Sequence, residues 1–125
     1  LQRHRRLHDA EDFARIKTSG RRVYHRLFIL SFVPNNLAHN RYGLIVTRRI
    51  GKATRRNRVR RQLREALRLR DADIRLTGDN SAQESPQFCD IVLIARLPVV
   101  QATFVEISMA LDDTLRQAHL LLPDT

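Results

Sequence analysis

The chain has 125 residues, with 23 Lys+Arg against 13 Asp+Glu and a formal net charge of +10. That length predicts one domain with a real core, and 42% hydrophobic residues with a mean hydropathy of −0.40 exclude a disordered basic tail. No run approaches the roughly 18 apolar residues of a membrane span, and no signal-peptide core follows the basic N-terminus. A single Cys excludes an intrachain disulfide and a Cys-based zinc site, so the expected setting is reducing and cytoplasmic. The first residue is Leu rather than Met, which suggests numbering from a trimmed or partial chain.

Residues 1–8 (LQRHRRLH) read as a basic, extended N-terminal arm anchored only by Leu7. Asp9, Asp12, Phe13 and Ile16 predict a short helix that closes before Gly20. Leu27–Val33 (LFILSFV) is continuous and apolar, bounded by Pro34-Asn35-Asn36, and reads as a buried strand. Arg41–Thr47 (RYGLIVT) follows as a second strand and the expected hairpin partner of the first. Residues 53–70 predict a helix, and residues 71–87, with Gly78, Asp79, Asn80, Ser81, Ser85 and Pro86, predict a loop. Phe88–Ala95 (FCDIVLIA) is another strand, broken by Pro98. Thr103 with Glu106 forms a capping box, and Phe104, Ile107, Leu111, Leu115, Ala118 and Leu122 make one apolar stripe at helical spacing. The order is that of a single α+β domain with helices packed on a mixed sheet.

The charge is confined. Arg48 to Arg70 holds 11 basic residues and one acid, Glu65, whereas the rest of the chain balances at 12 of each. A genome-wide preference for Arg accounts for 21 of the 23 basic residues being Arg, but not for this confinement. Within the segment, Val59, Leu63, Ala66 and Leu67 fall on one helix face, and Asn57, Arg61, Arg64 and Arg68 project from the opposite one, flanked by Arg58 and Arg60. Arg60, Arg64 and Arg68 are like charges at i, i+4 spacing, which costs about 0.2–0.5 kcal/mol per pair. Arg55, Arg56 and Arg58 crowd the positive end of the helix dipole, at about 0.3–1 kcal/mol per badly placed charge. Arg61–Glu65 and Glu65–Arg68 offset this only in part. A bound phosphate backbone would remove the repulsion, so the pattern points to nucleic acid.

Residues 41–68, RYGLIVTRRIGKATRRNRVRRQLREALR, resemble the signature of the bacterial ribonuclease P protein component. The Asp12-Phe13 pair, Gly20, the Phe28 strand and the Asp90–Arg96 run agree with it, so the likeness covers essentially the whole chain. The resemblance implies an α+β two-layer sandwich, with a mixed four-stranded sheet and three helices in αβββαβα order. It also implies a left-handed βαβ crossover, as in the ribosomal protein S5 domain 2-like fold. The partners it implies are a catalytic RNA subunit and precursor tRNA, whose 5′ leader the ribonucleoprotein removes. Mg²⁺ would be held mainly by the RNA, with no catalytic residue on the protein. By position in the family, Arg48, Arg49, Lys52, Arg55, Arg56, Asn57, Arg58, Arg60, Arg61, Arg64 and Arg68 would meet the catalytic RNA. Phe13, Lys17, Phe28 and Arg96 would line a cleft for the single-stranded leader. Phe13 and Phe28 read equally well as core residues. Lys17 and Ser31 stand where some members carry aromatics, so leader binding here would lean on Lys17 and Arg96.

Other signals are weaker. His4 and His8 are spaced i, i+4 without a further ligand, and Cys89 reads as a small buried hydrophobe. Asp71-x-Asp73 reads as a helix end, Asp112-Asp113 as a solvent face, and His119 as boundary packing. Alternatives from other classes are a non-enzymatic structured-RNA-binding or RNA-chaperone module, an autonomous metal-dependent nuclease, and a major-groove DNA reader that lacks a helix-turn-helix frame. No membrane partner is expected, and a weak homodimer is compatible with the pattern.

Overall fold

The computed structural model describes residues 5–7, 9–77 and 85–123. Residues 1–4 and 8 of the expected arm, His4 and His8 among them, and residues 78–84 of the expected loop lie outside the described residues. The elements in chain order are α1 (Ala10–Ser19), β1 (Arg21–Tyr24), β2 (Phe28–Pro34), β3 (Arg41–Ile45), α2 (Ala53–Arg70), β4 (Cys89–Ala95) and α3 (Phe104–Gln117). Both the αβββαβα order and the four-stranded mixed sheet follow the expectation. The capping box is formed as well, with Glu106 N–H donating to Thr103 Oγ1 and Thr103 N–H to Glu106 Oε1.

The expected hairpin between the second and third strands is not formed. The sheet order is β1-β2-β4-β3, so β4 inserts between the two, antiparallel to β2 and parallel to β3. The segment joining β2 to β3 therefore crosses the sheet end, and α2 makes the crossover that a parallel pair requires. The physical reason lies in β4, whose run of apolar residues is covered on both faces and so suits a central position. Cys89, Ile91 and Leu93 face the main core, built with Phe28, Leu30 and Phe32 of β2, the α2 stripe Val59, Leu63, Ala66 and Leu67, and Ile107, Leu111 and Leu115 of α3. Val92 faces the other way, into a smaller cluster with Leu7, Ile16 and Val33, against which Phe13, Ile45 and Ile94 pack. Thus α2 and α3 share one face of the sheet, while α1 covers part of the other.

Two polar hubs fix these layers. Asp90 on β4 is fully buried and accepts from Arg41 Nε (2.9 Å) and Nη2 (2.6 Å), from Arg15 Nη2 (2.8 Å) and from Asn35 Nδ2 (3.0 Å). Burial alone would push its carboxyl up, but the Arg41, Asn35 and Arg15 hydrogen bonds outweigh that and hold it below its ordinary range. The second hub is Asp71, just beyond α2, which accepts from Tyr42 Oη and Asn40 Nδ2 and pairs with Arg5 of the arm. Leu7 N–H donates to the Tyr42 carbonyl at 2.7 Å, so the arm is tied at more points than Leu7 packing alone.

Three other expectations change. The segment after α2 is not all loop, because Ile74 is fully buried and bridges to Leu121. Asp112 is not a solvent-face residue but pairs with Arg70, whereas Asp113 does face solvent. His119 is exposed at φ 57° in the turn that ends α3, so Leu122 falls beyond the helix.

Replacing Asp90 by Asn leaves Arg15 and Arg41 with only the longer contacts to Asp12, at 3.6 and 3.7 Å, as a counter-charge. It is expected to cost about 3 kcal/mol, the low end for breaking a buried pair because both guanidiniums reach solvent, measured by urea unfolding. A folded-state carboxyl held low stabilises above the unfolded aspartate value of about 3.9. The wild-type advantage over Asp90→Asn should therefore be complete at neutral pH and vanish as pH falls through the lower folded value.

Candidate nucleic-acid interface

The cationic surface is built on the β3-to-α2 connection. After Val46, a single 3₁₀ turn over Arg48–Ile50 buries Ile50 and leaves Arg48 and Arg49 exposed. Gly51 then takes φ 141°, and a Cβ there would lie 2.6 Å from Arg55 Cδ, so only glycine lets the chain turn into α2 with Arg55 in place. Lys52 occupies the N-cap without a side-chain cap, and the first turn holds no acid. The positive end of the helix dipole is thus surrounded by more positive charge instead of being neutralised.

Along α2, Val59, Leu63, Ala66 and Leu67 are buried as the spacing predicts, while Arg55, Asn57, Arg58, Arg61 and Arg68 are exposed and Arg56, Arg60 and Arg64 half-buried. Several guanidiniums are held by neighbours. Arg58 Nη2 donates to the Val100 carbonyl (3.0 Å), Arg60 Nη1 to Asn57 Oδ1 (3.1 Å), and Arg68 bridges both oxygens of Glu65 (2.9 and 2.6 Å). Among the described residues, Arg68 is therefore the one cation of this face whose charge is locally neutralised by a carboxylate. Arg56 Nε is buried without an acceptor.

A concavity of about 260 Å³ opens between the arm, α1, β3 and α2, lined by Arg6, Phe13, Tyr42, Gly43, Arg60 and Arg64 among others. Arg64 is depressed from its ordinary value by burial, then by Arg6 and by Arg60. Three guanidiniums around one hollow repel one another, which is the local signature of a surface that pairs with an anionic partner. Phe13 packs against Gly43 of β3 here, its Cε1 2.6 Å from where a Cβ on Gly43 would stand.

The structure does not bring the four expected cleft residues together. Phe13 lines the hollow beside α2, and Lys17 is exposed one turn further along α1. Phe28 is fully buried in the main core on the far side of the sheet and offers no ring to a base, so its core reading holds and its cleft role is withdrawn. Arg96 lies past the end of β4, its Nη1 donating to the His25 carbonyl (3.1 Å). There it lines a second cavity of about 510 Å³ with Arg26, Thr47, Arg49, Ile50 and Ile94. Ser31 is buried under α1, its hydroxyl donating to the Ile16 carbonyl (3.1 Å), so it is a structural contact rather than a free surface. Arg26 and the half-exposed Ile29, Ile45 and Ile94 escaped the sequence reading. Their signal is positional, since they flank the part of the sheet that a ten-residue α1 is too short to cover.

A mixed sheet carrying one guanidinium-faced helix, with a half-open apolar face rimmed by Arg on its other side, defines an α+β RNA-binding protein. The ribonuclease P family model matches residues 1–119. Among known proteins, the ribonuclease P protein component of Alkaliphilus metalliredigens is 31% identical over 97% of this chain and 99% of its own length. That of Herpetosiphon aurantiacus is 35% identical over 96% of this chain and 89% of its own length. In structure, the chain is similar to the RNase P protein of Staphylococcus aureus, with a TM-score of 0.79 and 28% identity over 94% of this chain and 98% of that one. It is similar also to that of Thermotoga maritima, with a TM-score of 0.74 and 29% identity over 90% and 96%. The chain belongs to the ribonuclease P protein component family, the protein subunit of the ribonuclease P ribonucleoprotein endoribonuclease, whose role is tRNA 5′ maturation.

Arg61 is exposed and, among the described residues, carries no partner that its removal would orphan. Arg61→Ala is expected to leave folding intact, weaken binding to the RNA subunit, and lower the slope of log K against log salt by about one unit. A salt titration of RNA binding checks it.

Proposed function

We propose that the α2 face and the Arg48–Lys52 turn hold the catalytic RNA, while the sheet face left open by α1 receives the 5′ leader of precursor tRNA. The observation that carries this reading is the separation of two surfaces with different chemistry. One is the guanidinium face of α2 and the turn before it, suited to the phosphates of a folded RNA. The other is an apolar strip with Arg at its rim, suited to unstacked bases of a single strand.

Asp71 is engaged by Tyr42 and Arg5, Asp90 by Arg41 and Arg15, and Asp112 by Arg70. Among the described residues no group of three or more His, Cys, Asp or Glu is placed to hold one. Mg²⁺ held mainly by the RNA would activate the attacking water and stabilise the leaving oxygen. The protein's own contribution is electrostatic. Arg48, Arg49, Lys52, Arg55 and Arg61 would neutralise phosphates near the cleavage site, and Arg96 would fix the leader backbone. Both effects lower the Mg²⁺ concentration at which the RNA is compact and active, and favour precursor over mature tRNA.

Reconstitution tests this directly. Adding the protein to its cognate catalytic RNA should shift the Mg²⁺ midpoint of precursor cleavage downward, and an unchanged midpoint overturns the proposal. Arg96→Ala should weaken binding of precursor more than that of mature tRNA in the complex; equal losses would remove Arg96 from the leader site.

A further inference from the structure

The open sheet face contains a feature that the family motif does not mark. Strand register aligns Tyr24 with Ile29, Ile29 with Ile94, and Ile94 with Ile45. Directly opposed residues share a sheet face, so these four side chains form one row across all four strands. That face is the α1 side, because Ser31, two residues along from Ile29, bonds α1, and Ile45 and Ile94 pack on the α1 cluster. The row next to it, through Ser31 and Val92, lies beneath α1 and is closed. The Tyr24 row is the first one past the end of the helix.

Within that row the three Ile are half-buried, but Tyr24 is 62% exposed. Of the five Phe and two Tyr of the chain, it alone is exposed. The other rings are committed, for example Phe13 against Gly43, Phe28 in the core, and Phe88 under the Arg75 guanidinium at 3.9 Å. Cations bracket Tyr24. Arg22, two residues back on the same face, folds over α1 to donate to the Lys17 carbonyl (2.6 Å). On the other side, Arg96 is anchored on the carbonyl of His25, the residue that follows Tyr24. A free aromatic face next to a pre-positioned guanidinium is the arrangement that takes a nucleobase and its phosphate together.

We infer that Tyr24 is a base-stacking residue of the single-strand site, holding one nucleotide of the bound RNA strand between the β1 edge and Arg96. It stands at a different place from Lys17 and Ser31, so the stacking contact in this chain sits on the edge strand and not under α1. The inference rests on the proposed leader site and specifies one of its contacts.

The test uses the protein–RNA complex with precursor tRNA, mature tRNA, and precursor carrying 2-aminopurine at single leader positions. Tyr24→Ala is expected to reduce the precursor-over-mature affinity ratio by roughly 5- to 150-fold, the range of one base–aromatic stack. Tyr24→Phe should keep the ratio. One 2-aminopurine position should be quenched in wild type and Tyr24→Phe, and bright in Tyr24→Ala. An unchanged ratio in Tyr24→Ala, or an equal loss in both variants, overturns the inference while the leader site stands. A wild-type complex without any precursor preference overturns the leader site itself.

Discussion

The buried carboxylate of Asp90 sets the geometry on which both surfaces depend. It sits on the central strand, at the end where β3 and the β2–β3 connection meet α1, and it gathers a guanidinium from α1 and another from β3. Without it, Arg15 and Arg41 would keep only the longer contacts to Asp12, and α1 would lose its closest ion pair to the sheet. With it, α1 is clamped over one half of the sheet face and leaves the other half open. Asp12, 3.6 Å from Arg15 and 3.7 Å from Arg41, extends the same network toward the surface.

The rest of the molecule is divided between stability and binding with little overlap. On α2, four buried aliphatic residues supply the docking energy, at about 1.5–3 kcal/mol for a fully buried Val or Leu, which outweighs the repulsion on the outer face. The helix can therefore carry an uncapped, cation-crowded N-terminus that would unravel in isolation. The strain is electrostatic and local, and the proposed contact with RNA phosphates would relieve it. On the other side of the sheet, Ile29, Ile45 and Ile94 line the open row and stay half-buried.

Much of this was legible in the sequence because local patterns and global fold agree. The 3.6-residue stripe of α2, the capping box of α3 and the confinement of charge to Arg48–Arg70 each have one physical reading. What was not legible depends on non-local pairing. The six residues between β2 and β3 look like a hairpin link, and only the continuous apolar character of Phe88–Ala95 hints that β4 belongs between them. Phe28 could not be placed on a face by alternation, because β2 is apolar on both faces. Its side follows once Ser31 is seen to bond α1. Asp112 looked solvated because its partner, Arg70, is 42 residues away. Tyr24 was silent because a four-residue edge strand carries too short a pattern to show which way its side chains point.

The insertion of β4 between β2 and β3 also constrains the order of events on the ribosome. Both of its neighbours precede it in the chain, and α2 lies between them and it. While the nascent chain ends before residue 89, β2 and β3 have no common partner, and the apolar stripe of α2 lacks the Ile91 and Leu93 side of its core. The native sheet closes only when the last third of the chain supplies its central strand, a long-range step that must wait on synthesis, which at about 5–20 residues per second takes seconds to deliver it. During that interval the most cationic segment of the protein is already outside its finished scaffold, in a compartment crowded with RNA.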